Sequence, residues 1–290
     1  MRTGRLILHL FLLLLTAGTT FVAGVFFVLP EVSIEQGAFL FTHPYVLSSG
    51  LAYSCTLLTI LLAHELGHYF ACRHYGIRAT LPFFLPGPPF VGTFGAFIRI
   101  KEPIQSRRAL FDIGIAGPLA GFAVAFPAAV VGLWIATPAP PPLTIEGSIT
   151  FNDPVLFILL QRIFDWPVMI EWNPIYFAAW VGLLATSLNL LPVGQLDGGH
   201  VAYAVLGPRG HHWMARGIFF VMLFLAVVSY TRHRWIGWFI YVGLLGLLIG
   251  LKHPPLQDEA EPLDRRRKII ALVGLVVFIL SFMPFPITFR

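Results

Sequence analysis

Seven apolar runs of helical length, separated by shorter polar segments, constrain this chain more than any other feature. They cover residues 6–29, 51–72, 110–136, 174–192, 214–230, 235–251 and 269–286. A helix needs about 20 residues to cross the hydrocarbon of a bilayer, and most of these runs approach or exceed that length. The fifth and sixth runs are shorter and predict a tight hairpin around residues 231–234. The sequence therefore predicts an all-α polytopic membrane protein with about six to seven transmembrane helices.

The composition excludes the other broad classes of protein. Hydrophobic residues make up 57% of the chain and charged residues only 11%, whereas an ordinary soluble domain is about 45–50% apolar and about 25% charged. Two cysteines are too few for a disulfide scaffold. The net charge of +5 is spread between the apolar runs instead of forming one basic face, so we expect no nucleic-acid partner.

The basic residues predict the orientation of the chain in the membrane. With a cytoplasmic N-terminus and seven spans, 15 of the 19 Lys and Arg residues fall inside, as the positive-inside rule requires. The remaining four are Arg162, Arg232, Arg234 and Arg290. The charged start of the chain resembles a signal peptide, but run 6–29 is longer than the usual apolar region of about 7–15 residues. We therefore expect a retained first span, with a cleaved signal as the alternative.

Residues 80–101 contain too much Pro and Gly for a helix and are too apolar for a free loop. Irregular backbone is tolerated at membrane depth only where protein or a wet cavity covers it. We expect a small re-entrant β-loop on the cytoplasmic side, in which residues 92–100 form an edge strand. Gly92 and Gly95 would let a second backbone approach closely. A hairpin that lies in the headgroup layer is the alternative.

Ionisable side chains inside the second run mark a candidate active site, because a charge at the bilayer centre costs about 2.5–3.5 kcal/mol. His64, Glu65 and His68 form the pattern H-E-x-x-H. Two histidines four residues apart share one helix face and can bind one zinc ion, while the glutamate can act as a general base. The alternative is a buried polar cluster that only stabilises helix packing.

A catalytic zinc ion needs a third protein ligand, and two residues are candidates. His74 would give a metzincin-like pattern, but Ala71 stands where that pattern has the glycine that ends the helix. Asp197 ends the fourth run, which crosses in the same direction as the second. Asp197 should therefore reach the same cytoplasmic depth as the two histidines, although a helix-capping carboxylate is its alternative role.

The residues 189–198 read N-x-x-P-x-x-x-L-D-G. Together with H-E-x-x-H, this motif resembles the site-2 proteases, the intramembrane zinc metalloproteases. The segment Gly-Thr-Phe-Gly at residues 92–95 is similar to the re-entrant β-loop of that family. The periplasmic PDZ insert and the CBS domain of larger members have no counterpart here, so the chain looks closest to the compact bacterial and chloroplast-type members.

The resemblance implies a role for each motif residue. One zinc ion per chain would be bound by His64, His68 and Asp197. Glu65 would be the catalytic base and acid. Asn189 would contact the substrate or the oxyanion, or else would hold the broken helix by a hydrogen bond. The residues expected to bind the substrate as a strand are Gly92, Thr93, Phe94 and Gly95.

Water must reach this site, and a short polar cavity near the cytoplasmic ends of the spans could admit it. The side chains that could line this cavity are Asn189, Gln195, His200 and Asp112. A cap at the start of the third long run is the other role expected for Asp112.

The resemblance implies an intramembrane metalloprotease that hydrolyses peptide bonds within or near transmembrane segments, as in regulated intramembrane proteolysis. We expect one transmembrane metalloprotease domain, residues 1–290, with a core at about 50–207 and accessory helices at 6–29, 214–251 and 269–286. It would lie in a bacterial cytoplasmic membrane, and an upstream protease of the site-1 type could be a further partner. A membrane metal transporter and a pseudo-protease that binds transmembrane segments without cutting them are the alternatives.

Overall fold

The structure, a computed structural model, describes residues 3–28, 44–139, 149–167, 169–250 and 262–289. The ends of the predicted runs 6–29 and 235–251, and Arg290, lie outside these residues. The helices are α1 (Thr3–Val28), α2 (Pro44–His74), α3 (Arg107–Trp134), α4 (Val155–Ile163), α5 (Pro174–Asn189), α6 (Asp197–His233), α7 (Gly237–Gly250) and α8 (Arg265–Ser281). The strands are β1 (Phe83–Pro86), β2 (Thr93–Phe97), β3 (Ile149–Phe151) and β4 (Ile287–Phe289). The predicted mostly helical class with a small β-loop is confirmed.

Four of the described helices, α1, α2, α3 and α6, are long and apolar enough to cross a membrane. The protein is therefore an integral membrane protein. The helices α5, α7 and α8 contain 16, 14 and 17 residues, which is below the roughly 20 residues that a perpendicular crossing needs. Seven crossings therefore stay a prediction.

Contacts between helix ends show that α2, α3 and α5 alternate in direction, and that α8 begins at the same end as α3. Tyr75, just after α2, donates a hydrogen bond to Asp112 near the start of α3, and Arg267 near the start of α8 donates to the same carboxylate. We call this end of the bundle the active-site end. At the opposite end, Asn173 before α5 donates to the carbonyl of Gly132 near the end of α3, at 2.7 Å.

The β1–β2 hairpin lies along α1. Near its base, His9 Nδ1 is 3.1 Å from the carbonyl oxygen of Pro82. At the tip of the hairpin, the Thr19 hydroxyl donates to the carbonyl oxygen of Gly92 at 2.6 Å. The hydroxyl of Tyr53, from α2, donates to the carbonyl oxygen of Val91 at 2.9 Å. Ten helical residues separate His9 from Thr19, which corresponds to about 15 Å along α1. The hairpin therefore reaches deep along a spanning helix, as a re-entrant loop does and a headgroup hairpin does not.

The opposite end carries structure that the sequence did not predict. Strands β3 and β4 pair in antiparallel register, with Thr150 opposite Thr288. The apolar side of α4, including Leu156 and Phe157, is buried in the main hydrophobic core. The segment between α3 and α5 is thus partly folded onto the bundle.

The predicted hairpin between the fifth and sixth runs is confirmed. Helix α6 ends at His233, Arg234 adopts the left-handed conformation with φ of 55°, and α7 begins at Gly237. The fifth run is the second half of the longer α6, which bends at Gly207 and Pro208 because Gly207 has φ of 74° and proline removes a backbone donor.

Candidate active site

His64, Glu65 and His68 lie in the last third of α2, where all three side chains are buried. The backbone is α-helical throughout residues 64–68, including Gly67, so the four-residue spacing of the histidines brings the rings to one face. The imidazole Nε2 atoms are 3.1 Å apart. The pair predicted from H-E-x-x-H therefore converges on one point.

Asp197 completes this group from the first turn of α6. Its Oδ2 atom lies 3.1 Å from His64 Nε2 and 3.3 Å from His68 Nε2. Among the described residues, these three are the cluster of His, Cys, Asp and Glu side chains whose ligand atoms could hold a metal ion. The distant aspartate thus meets the two histidines as the topology predicted.

The dimensions of the triangle suit zinc. Ligands at about 2.0–2.1 Å from a tetrahedral zinc ion are separated from one another by about 3.3 Å, close to the 3.1, 3.1 and 3.3 Å seen here. Three lone pairs that face one another at this distance repel unless a cation or a shared proton lies between them. Two imidazoles and one carboxylate are also a ligand set that zinc enzymes use.

The orientation of His68 is fixed from α3. Its Nδ1 atom lies 2.7 Å from the carbonyl oxygen of Ile113, which can only accept a hydrogen bond. The proton of a neutral ring must therefore be on Nδ1, which leaves the lone pair of Nε2 directed at His64 and Asp197.

Three glycines of α3 form the surface against which the histidines pack. A Cβ atom on Gly117 would lie 2.5 Å from Cδ2 of the His68 ring, and one on Gly121 would lie 3.2 Å from Cβ of His64. On Gly114, it would lie 2.9 Å from Cβ of His200. These positions lie three and four residues apart, which places them on one helix face, and small residues at such spacing let membrane helices approach closely. This surface was not predicted from the sequence, although the spacing of the three glycines is a signal for it.

The two glycines after Asp197 hold the start of α6 against the turn that precedes it. A Cβ atom on Gly198 would lie 2.8 Å from the carbonyl carbon of Leu191, and one on Gly199 would lie 2.8 Å from the oxygen of Val193. Gly194 adopts φ of 57° in this turn. Asp197 is the first residue of α6 and Leu196 occupies the capping position, so the alternative role of Asp197 as a cap is excluded.

A cavity of about 270 Å³ opens onto this cluster. The side chains of Asn189, Gln195 and His200 line it, as expected from the sequence, and Glu65 lines it as well. Residues 96–98 and Ile100, which follow the tip of the hairpin, also line it. The backbone N–H of Ile98 is close enough to Glu65 to interact with its carboxylate. The candidate base therefore shares one cavity with the cluster and with an extended segment of backbone.

The predicted strand-binding residues lie around the hairpin tip. Gly92 packs against α1, where a Cβ atom would lie 2.7 Å from the backbone nitrogen of Thr20. Thr93 is buried and its hydroxyl donates to the carbonyl of Leu85 at 2.7 Å. Phe94 is 75% exposed, and Gly95 has φ of 103°. None of residues 92–95 lines the cavity, whose strand side is formed by residues 96–98 and Ile100.

Two other sequence candidates lie away from the cluster. His74 is the last residue of α2, is exposed, and contacts the Tyr75 ring edge to face at a centroid distance of 5.1 Å. Asp112 neither caps α3, whose capping residue is Ser106, nor lines the cavity. Both expectations for Asp112 were wrong, because its carboxylate is paired with Arg267, 155 residues further along the chain.

These features define a membrane-embedded cavity with a metallopeptidase-type ligand set. The chain belongs to peptidase family M50, whose family model matches residues 52–229. It is 28% identical to the probable zinc metalloprotease EGY2, chloroplastic, of Arabidopsis thaliana over 86% of this chain, and 30% identical to EGY1 of the same plant over 83% of it. The chain spans about 44% of the length of each of these two relatives.

Among solved structures, this chain matches the site-2 protease from Methanocaldococcus jannaschii. The match covers 86% of this chain and 85% of that one, with 17% sequence identity and a TM-score of 0.33.

Proposed function

We propose that this protein is a zinc-dependent intramembrane endopeptidase that cuts peptide bonds within or near transmembrane segments of membrane proteins. The observation that most supports the proposal is the meeting of His64, His68 and Asp197 within hydrogen-bond distance of one another, in a cavity that also contains Glu65. Membership of family M50 and the names of the plant relatives agree with this activity.

In the proposed mechanism, His64, His68 and Asp197 hold one zinc ion. When bound, zinc acidifies a water molecule and polarises the carbonyl group of the scissile bond. A Glu65 carboxylate oxygen accepts a proton from the attacking water and returns it to the nitrogen of the leaving amine. The side-chain N–H of Asn189 donates to the oxyanion that forms on the scissile carbonyl.

The substrate must lose its helical hydrogen bonds before its carbonyls can enter this cavity. We propose that the extended segment after the hairpin tip replaces some of these bonds by strand addition. The position and reach of that segment would be set by Gly92, Thr93, Phe94 and Gly95. Residues 96–98 and Ile100 would face the substrate.

We propose that residues 1–290 act as one membrane-embedded unit, with the active-site end facing the cytoplasm of a bacterium. Its substrates would be shortened first by an upstream protease of the site-1 type. A reporter fused after Arg290 tests the orientation. Alkaline phosphatase should be active there and green fluorescent protein dark, whereas the reverse result would reject the proposed arrangement of seven crossings with the N-terminus inside.

The activity itself is tested with purified protein, zinc and a synthetic transmembrane peptide in bilayers. Wild-type protein should cut the peptide, and Glu65→Gln should bind zinc normally without cutting. Asp197→Asn should lose both zinc and cleavage. Zinc flux across the bilayer without cleavage would instead support a transporter, and peptide binding without cleavage would support a pseudo-protease.

A further inference from the structure

A second cavity, of about 440 Å³, lies between the first half of α1 and the base of the β1–β2 hairpin. Its lining combines the apolar side chains of Leu8 and Phe83 with the polar side chains of Thr80, Arg99 and Lys101. The mechanism uses none of these side chains. A mixed apolar and cationic lining suits a ligand that has both characters.

The backbone explains why the two cations lie together. Residues 99–101 are extended and held to the opposite segment, with Thr80 N–H donating to the Arg99 carbonyl at 3.0 Å and Lys101 N–H donating to the Arg78 carbonyl at 2.8 Å. Alternate residues of an extended chain project to the same face. Phe97 belongs to this face and stacks on Phe83 at a ring distance of 5.4 Å. The face therefore changes from aromatic to cationic along the chain.

Within the described part of the protein, neither Arg99 nor Lys101 forms an ion pair, although the neighbouring Glu102 lies within electrostatic range of Lys101. Arg78 forms an ion pair with Glu102. No acidic group lies within 4.0 Å of Arg99 or Lys101 among the described residues. Lys101 also lines an adjoining cavity of about 290 Å³, together with Arg73 and Arg78. The cationic surface thus extends beyond the first cavity.

The depth of the cavity matches the boundary between hydrocarbon and headgroups. It lies beside His9 in the first half of α1, at the base of a hairpin whose tip reaches about 15 Å further along the same helix. Phe83 and Phe97 lie on the side of the tip, and Arg99 and Lys101 lie on the side of the active-site end. A glycerophospholipid presents acyl chains and then a phosphate in the same order.

We propose that this cavity binds an anionic glycerophospholipid, with its phosphate at Arg99 and Lys101 and its acyl chains along Leu8 and Phe83. Basic pockets of membrane proteins at this depth are suited to anionic headgroups. Ile100 lines both this cavity and the cavity of the candidate metal centre. A bound lipid would therefore brace the segment that faces the substrate.

Native mass spectrometry tests the proposal without relying on protease activity. The purified protein is stripped of lipid and titrated with phosphatidylglycerol, phosphatidylcholine or inorganic phosphate. Phosphatidylglycerol should be retained in preference to phosphatidylcholine. The Arg99→Gln/Lys101→Gln variant should bind phosphatidylglycerol about 30-fold more weakly, from about 1 kcal/mol for each cation near the surface. The Arg99→Lys/Lys101→Arg variant should bind normally.

The matched control is Arg209→Gln/Arg216→Gln, which removes two exposed cations from α6. It should leave the preference for phosphatidylglycerol unchanged. Equal weakening in both double variants would show a general charge effect and overturn the proposal, as would equal retention of the two lipids by the wild type. Competition by inorganic phosphate at the same concentration as the lipid would overturn the assignment to a lipid. If the double variant does not elute as a single species, Lys101→Gln alone should weaken binding about fivefold.

Discussion

Replacing Gly117 by alanine tests how closely α3 must approach the two histidines. A Cβ atom at this position would lie 2.5 Å from His68 Cδ2 and closer still to Nε2, whereas ordinary contact begins at 3.4 Å. The ring must therefore retreat by at least about 0.9 Å, the shift that Cδ2 alone requires. It cannot do so freely, because its Nδ1 atom is held at 2.7 Å from the carbonyl oxygen of Ile113.

The size of the effect follows from these distances. Metal–ligand distances at a working site stay within about 0.2 Å of their ideal values, so a shift of about 0.9 Å removes His68 from the ligand set. A misplacement of about 1 Å at an active site costs about 100-fold in rate. Overpacking adds a loss of stability of about 1–3 kcal/mol. We expect Gly117→Ala to bind zinc at least tenfold more weakly and to cut substrate at least 100-fold more slowly.

Zinc affinity, peptide cleavage and thermal unfolding should be measured on the same preparations. Gly217→Ala is the matched control, because it makes the same change in α6 at a position where nothing lies within 4 Å of the new atom. Gly121→Ala should give an intermediate result, since its Cβ would lie 3.2 Å from the nearest atom. Wild-type zinc affinity and cleavage in Gly117→Ala would refute the packing of α2 on α3 described above.

Three further predictions concern other parts of the molecule. Arg267→Ala should lower the free energy of unfolding by about 1–3 kcal/mol in denaturant titrations, because it removes the bidentate partner of Asp112. Arg267→Lys should restore only part of this loss. Equal stability of the wild type and both variants would contradict the prediction. Burial raises the pKa of Asp153 to about 6 against the opposing hydrogen bond from Tyr176, so its neutral form favours folding at low pH and this contribution is lost as the pH rises through about 6. Asp153→Asn should therefore melt at a higher temperature than the wild type at pH 8 and at the same temperature at pH 4, and a difference that does not depend on pH would exclude this cause. Gly95→Pro should abolish cleavage without loss of zinc, because proline cannot adopt φ of 103°, and normal cleavage would reject a role for the strand.

The sequence predicted the parts of the site that depend on local spacing and on membrane depth. The pair His64 and His68 needs only a helix, and Asp197 needs only a second run that crosses in the same direction. The spacing of the histidines is a local property of one helix. The position of Asp197 follows from its depth in the membrane, which the order of the spans determines without knowledge of how the helices pack. The turn after His233 could be predicted for the same reason.

The remaining features depend on pairs of residues that are distant in the chain. Arg267 meets Asp112 across 155 residues, and β3 meets β4 across more than a hundred. The sequence around one member of such a pair does not identify the other member. Asp112 was therefore expected to cap a helix or to line the cavity. Gly117 could have been found from the spacing of small residues in α3, but glycines are common in membrane helices, and the spacing alone does not identify the histidine that packs there.

The central claim is that two imidazoles from α2 and one carboxylate from α6 hold a single zinc ion. X-ray absorption at the zinc edge of the purified protein, loaded with one equivalent of zinc, tests it most directly. We predict nitrogen and oxygen ligands at about 2.0–2.2 Å, the scattering pattern of two imidazoles and no sulfur, with one of the imidazoles lost in His68→Ala. A sulfur ligand at about 2.3 Å, or a spectrum that is the same in wild type and Asp197→Ala, would contradict the account.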